Sequence, residues 1–138
     1  MIKIIVIGCP VSLKRHRHTK WGTYDPSKKD KDNLKLQVVN FFNQNSIEHT
    51  PIENPIIVEL YFYMKRPKSH YRSGKFSNII KDKSPKHHIT KPDVDNLAKL
   101  VLDAGNDFLW KDDSVIVNLI ANKCYGQKPR TEIIIKDA

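Results

Sequence analysis

Apolar residues fall along this chain in two rhythms, broken by two long polar stretches. Residues 2–8 are rich in Ile and Val and end at Gly8 and Pro10, which predicts a buried strand. After Ser27 and Asp30, a capping-box-like start, Leu34, Val38 and Phe41 recur at helical spacing. They predict a helix over 28–44 that ends in the polar run Asn43-Gln44-Asn45. Ile56 to Tyr63 is β-branched and aromatic throughout, a second strand. From Asp93 to about Asp107, Leu97, Leu100, Val101, Ala104 and Phe108 mark the core face of a second helix. Residues 114–124 form a long β-branched run, which predicts a strand at the centre of a sheet. Gly126-Gln127-Lys128-Pro129 turns the chain, and residues 131–135 return as its hairpin partner. The order β-α-β-loop-α-β-β describes an α+β fold: one domain over 1–138, a mixed sheet and two main helices.

The polar stretches carry the charge. Lys14 to Lys20 forms a basic loop with no acid before Asp25. Residues 65–91 hold nine Lys or Arg and a single acid, Asp82, and show no sustained periodicity, so they read as a long exposed loop. The whole chain has 24 Lys+Arg against 15 Asp+Glu, a formal net charge of +9, which favours a polyanionic partner. Phosphate binding by the two loops follows, with Lys14, Arg15, Arg17, Lys65, Arg66, Arg72 and Lys91 as candidates. Tyr71 and Phe76 either stack on bases or pack the second loop back onto the protein.

Several classes drop out. No apolar run approaches the ~20 residues of a membrane span. Val6-Ile7-Gly8-Cys9 looks like a lipoprotein cleavage box, but the apolar run before Cys9 is short and Lys14-Arg15-His16-Arg17 follows at once. Cys9 and Cys124 form no disulfide framework, so a cytoplasmic protein is expected, with Cys124 buried and inert. The six His and two Cys lack zinc-site spacing, and there is no Gly-rich phosphate loop or Ser nucleophile elbow. Trp110 is expected to be a core anchor for the Asp112-Asp113 turn.

Negative charge is concentrated directly after the most basic stretch. Asp93, Asp95, Asp103, Asp107, Asp112 and Asp113 stand against only Lys99 and Lys111. If the basic loop meets a phosphate backbone, adjacent carboxylates repel it unless a divalent cation sits between them. Asp93 and Asp95 point to one side if the chain is still extended there, and Asp95, Lys99 and Asp103 lie along one helical stripe. A strand packed beside the helix brings Asp112 or Asp113 to the same place. Clustered carboxylates suit Mg²⁺, and Lys99 is placed to stabilise charge developing on a phosphate. Capping by Asp93 or Asp95, a solvated Lys99 ion pair and a plain Asp112-Asp113 turn account for the same residues individually.

Lys91-Pro92-Asp93-Val94-Asp95-Asn96-Leu97-Ala98-Lys99, then Leu102-Asp103-Ala104, then Trp110-Lys111-Asp112-Asp113-Ser114-Val115-Ile116-Val117 resembles the signature of the RusA-type Holliday junction resolvases. The resemblance is strongest over 91–117 and extends weakly to the rest. It implies that Asp93, Asp95 and Asp113 are metal-binding carboxylates and Lys99 the catalytic lysine; Asp103 and Asp112 match acids of less defined role. It further implies a Mg²⁺-dependent endonuclease, with Mn²⁺ able to substitute, acting as a homodimer that nicks two strands of a four-way DNA junction. Loop 65–91 is longer than in compact members, and Pro92 stands where some members carry Arg. The alternative from another class is a non-catalytic DNA-binding or architectural protein.

Overall fold

The computed structural model describes residues 1–138, in the order β1 (Ile2–Ile7), β2 (Arg17–Thr19), β3 (Gly22–Tyr24), α1 (Lys28–Gln44), β4 (Ile56–Lys65), α2 (Val94–Gly105), β5 (Ile116–Gly126) and β6 (Arg130–Asp137). Alternation in β4 sets the plan. Ile56, Val58, Leu60, Phe62 and Met64 are buried, and the residues between them reach the opposite face. One face of the sheet is therefore dry. Helices α1 and α2 pack on each other, α1 against β1 and α2 against β5. Leu34, Val38 and Phe42 from α1 join Leu97, Leu100, Val101 and Ala104 from α2 in a single core with Ile4, Ile133 and Ile135. Each large apolar side chain buried there contributes roughly 1.5–3 kcal/mol. The fold is α+β with two helices and a mixed sheet, as its sequence pattern indicates.

The other face carries charge ladders. Glu132 accepts from Lys3 at 3.0 Å and from Arg130 at 3.3 Å, and Lys136 meets Glu59 at 3.0 Å. The Arg130 guanidinium lies 3.8 Å over the Tyr63 ring.

Sheet order corrects two expectations. The order is β1-β6-β4-β5, with β6 antiparallel to both neighbours and β4 parallel to β5. β6 is thus not the hairpin partner of β5, because residues 127–129 carry the chain past the end of β4 to its far side. β5 is an edge strand, not a central one. Its apolar run was a poor guide because Val117 (62% exposed), Leu119 and Ile120 face outward. Phe42, not Phe41, completes the α1 core face, and Phe108 is only half-buried; Leu109 and Trp110 go fully inside instead.

Local corrections follow from hydrogen bonds. Ser27 precedes α1 but does not cap it with its side chain. Its buried hydroxyl accepts the Lys14 N–H at 2.7 Å, while its own N–H donates to Asp25 Oδ1 at 2.9 Å. The basic loop 14–20 enters a small hairpin, β2 with β3, closed by Thr19 Oγ1 donating to the Gly22 carbonyl at 3.0 Å. Cys124 is half-buried and Cys9 exposed, both as free thiols.

Candidate active site

Two joints hold the start of α2. The Leu13 N–H donates to the Asn96 carbonyl at 3.0 Å. With the neighbouring Lys14–Ser27 bond, this seats the basic 14–17 segment between the starts of α1 and α2. From the opposite side Lys123, on β5, donates through Nζ to the Thr90 carbonyl at 2.7 Å and the Pro92 carbonyl at 2.8 Å. The backbone immediately before Asp93 is therefore fixed by an ammonium.

Asp93 occupies the N-cap position, extended at φ −73° and ψ 146°, yet its side chain makes no capping hydrogen bond. Helix capping does not consume this carboxylate. It faces Lys91 at 3.8 Å and remains half-exposed. Asp95 lies in the first turn, with Lys99 one turn further and 4.0 Å from it, a loose pair exposed on both sides. Asp112 and Asp113 part company. The Asp112 carboxylate accepts the Ser114 N–H at 3.2 Å, and hydrogen bonding with Ser114 holds it below the ordinary carboxylate value. Asp113 opens the 3₁₀ turn Asp113–Val115, which contacts α2, and its carboxylate makes no such bond. Asp103 is engaged elsewhere: Lys31 of α1 reaches it at 3.8 Å and Asp25 at 2.8 Å, tying the helices together.

The structure thus sets Asp93, Asp95 and Lys99 along one end of α2 and Asp113 on the adjoining turn. It does not gather any three His, Cys, Asp or Glu side chains into a group that could hold a metal ion. The chemistry of the donors still fits one class of cation. They are carboxylate oxygens, uncommitted to capping, and Mg²⁺ binds through one or two carboxylates while retaining several waters.

Trp110 anchors this corner. It is fully buried, and its indole N–H donates to Asn106 Oδ1 at 3.1 Å. A Cβ on Gly105 would lie 2.4 Å from its ring, so the helix end must be glycine for the indole to enter. Just upstream of Asp93, His88 is buried against Tyr125, and its Nδ1 has no partner. Burial, reinforced by the Lys123 charge, lowers its pKa below the ordinary imidazole value.

Of the candidate phosphate contacts, Lys14, Arg15, Arg17 and Lys65 are exposed. Arg72 pairs with Asp82 at 3.7 Å and Lys91 with Asp93. Arg66 is committed to its own loop, donating to the Pro85 carbonyl at 2.8 Å with its guanidinium 5.0 Å from the Tyr125 ring.

A family model described as Endodeoxyribonuclease RusA matches residues 8–136. The chain belongs to the RusA endodeoxyribonuclease family. Uncharacterized protein YqaN of Bacillus subtilis (strain 168) is 36% identical over 143 residues, covering 99% of this chain and 96% of YqaN. Membership makes this chain an endonuclease at the family level; RusA proteins act on branched DNA junctions and are generally divalent-metal dependent. No helix is long and apolar enough to cross a membrane.

Two features escaped the sequence reading. Trp21, at the tip of the β2–β3 hairpin, is 87% exposed with the Lys20 ammonium 5.1 Å from its ring. Only the short Thr-Lys-Trp-Gly turn could have signalled it. Lys123 is the other, and its grip on residues 90 and 92 depends on a sheet-to-loop contact that spacing does not encode.

Proposed function

We propose that this chain is a Mg²⁺-dependent RusA endonuclease that resolves four-way DNA junctions as a homodimer, with Asp93, Asp95 and Asp113 as the metal carboxylates. The observation that carries the reading is Asp93. It stands at a helix start without capping it, so its oxygens stay available two residues before Asp95, which itself lies one turn below Lys99. When bound, the cation supplies Lewis-acid polarisation and an ionised water. Lys99, flexible and exposed, donates to the non-bridging oxygens of the phosphate as negative charge grows on them. Lys123 keeps the 90–92 backbone from shifting, which fixes where Asp93 presents its carboxylate. Asp112 shapes the turn that aims Asp113. Lys14, Arg15 and Arg17, exposed on the segment that follows the Leu13–Asn96 joint to α2, hold the backbone of the strand to be cut.

The homodimer reading rests on β5. Its outer edge is unpaired over the Val117–Ile120 stretch, and both Val117 and Ile120 are exposed there. A two-fold partner added at this edge sets a second site against the equivalent strand of the junction. Cleavage of a synthetic four-way junction with Mg²⁺ by the wild type and by Asp95→Asn tests the reading. The variant is expected to lose cutting while keeping or tightening junction binding, since one repulsive charge is gone. Equal cutting by both would refute the catalytic assignment.

A further inference from the structure

The loop after β4 is not slack. The Arg72 N–H donates to the Ile79 carbonyl and the Lys81 N–H to the His70 carbonyl, both at 2.8 Å. Tyr71 bridges Ile80, and Ser84 Oγ donates to the His70 carbonyl at 2.7 Å. At its base Arg66 fastens the loop to Pro85 and Tyr125. Together with Gln127 and Pro129 this self-bonded loop borders an open cleft of ≈ 880 Å³.

Lys65, Arg66, Lys68, Arg72 and Lys81 all line that cleft, and no acid does. Asp82, which pairs with Arg72, lies outside the lining and is 92% exposed. Lys65, Lys68 and Lys81 have no acidic partner. Five like charges around one open cleft concentrate positive potential there, which an entering anion offsets. Ser69, Ser73 and Ser77 add neutral hydroxyls to the same wall, which suits phosphate oxygens rather than a carboxylate-specific fork. The cleft shares Lys65, Arg66 and Lys68 with a second hollow of ≈ 420 Å³ that runs to His88 and Thr90, two residues short of Pro92. The cationic wall of the cleft therefore continues into a hollow that reaches Thr90, three residues before Asp93.

We infer that this cleft is a phosphodiester-binding subsite that holds a DNA strand away from the scissile position and feeds it toward Asp93. The inference rests on the nuclease reading, and it assigns Lys68, Lys81 and the three serines to substrate retention, outside the chemistry. Because the loop is held by its own hydrogen bonds, little ordering accompanies DNA entry.

Binding of a fluorescent four-way junction and of a linear duplex is measured in EDTA across a salt series. Wild type is compared with Lys68→Glu combined with Lys81→Glu, the same pair changed to Gln, and a charge-matched control on α1, Lys29→Glu with Lys35→Glu. The Glu pair is expected to weaken both DNAs at least roughly tenfold relative to the control, and the Gln pair less. The slope of log affinity against log salt should become shallower by about two for the Gln pair. Single-turnover cutting at saturating protein with Mg²⁺ is expected to match wild type. If the cleft variants bind with the affinity and salt slope of the control, the subsite is refuted. If wild type fails to cut in Mg²⁺ while the cleft variants still lose binding, the nuclease reading falls and the cleft stands.

Discussion

A methyl group at position 105 would stand 2.4 Å from the Trp110 ring, so two opposing effects meet at one residue. Alanine favours a helix over glycine by up to about 1 kcal/mol. Overpacking a filled core costs about 1–3 kcal/mol. Overpacking should win, and Gly105→Ala should lower stability by about 1–2 kcal/mol in urea titration; unchanged stability would mean the indole moves aside freely. Lys123 presents a different balance. It contributes no group to the candidate site but holds two carbonyls that precede Asp93. Lys123→Met should lower junction cutting roughly tenfold or more through misplacement of Asp93. Junction affinity in EDTA and the melting temperature should stay close to wild type, and Lys123→Arg should restore part of the rate. A loss of affinity equal to the loss of rate would instead make Lys123 a DNA contact.

At the level of elements, β6 carries the most consequential charge. Glu132 is buried, and burial by itself pushes its pKa up from 4.5. Hydrogen bonding from Lys3, the charges of Lys3 and Arg130, and Tyr63 together outweigh burial and hold the pKa below that value. A carboxylate depressed by folding stabilises the native state above its unfolded pKa, and the gain disappears as pH falls through the folded value. Stability of the wild type should therefore drop below about pH 4.5, whereas Glu132→Gln should be about 1–3 kcal/mol weaker at pH 7 and flatter with acid. Parallel denaturation curves for the two proteins down to pH 3 would contradict this.

Elements also show what the chain discloses about itself. Helix α1 was legible from the spacing of Leu34 and Val38, although Phe42 rather than Phe41 completes its buried face, and β4 from its β-branched and aromatic composition. β5 misled because a β-branched run looks alike whether it is enclosed by neighbouring strands or waiting at an edge. Pairing of β6 was hidden for a related reason: a three-residue connection suits a hairpin, and nothing local marks that it crosses β4. For the candidate site, the Asp93-Val94-Asp95 and Asp112-Asp113 motifs were readable, as was the stripe to Lys99. The division of labour between Asp112 and Asp113 was not, since it turns on one hydrogen bond to the Ser114 N–H.

The whole molecule is a cation of +9, yet four of its 15 acidic residues, Asp93, Asp95, Asp112 and Asp113, lie at one helix start and the turn beside it. Under the proposed function, basic surfaces at 14–17 and 65–81 attract the phosphate backbone, and a cation between it and the aspartates offsets their repulsion. Assembly is predicted at the same scale. Val117→Glu with Ile120→Glu should raise the dimer dissociation constant at least about tenfold in sedimentation equilibrium while each protomer stays folded. An unchanged dimer would move the interface away from β5. The measurement closest to the central claim is titration of Mn²⁺, followed by electron paramagnetic resonance, into wild type, Asp93→Asn, Asp95→Asn and Asp113→Asn without DNA. All three variants are expected to bind the ion more weakly than wild type, as the proposal that the three carboxylates share one ion requires. If Asp113→Asn binds Mn²⁺ as wild type does, or none of the variants differs from it, residues 93, 95 and 113 do not share a metal.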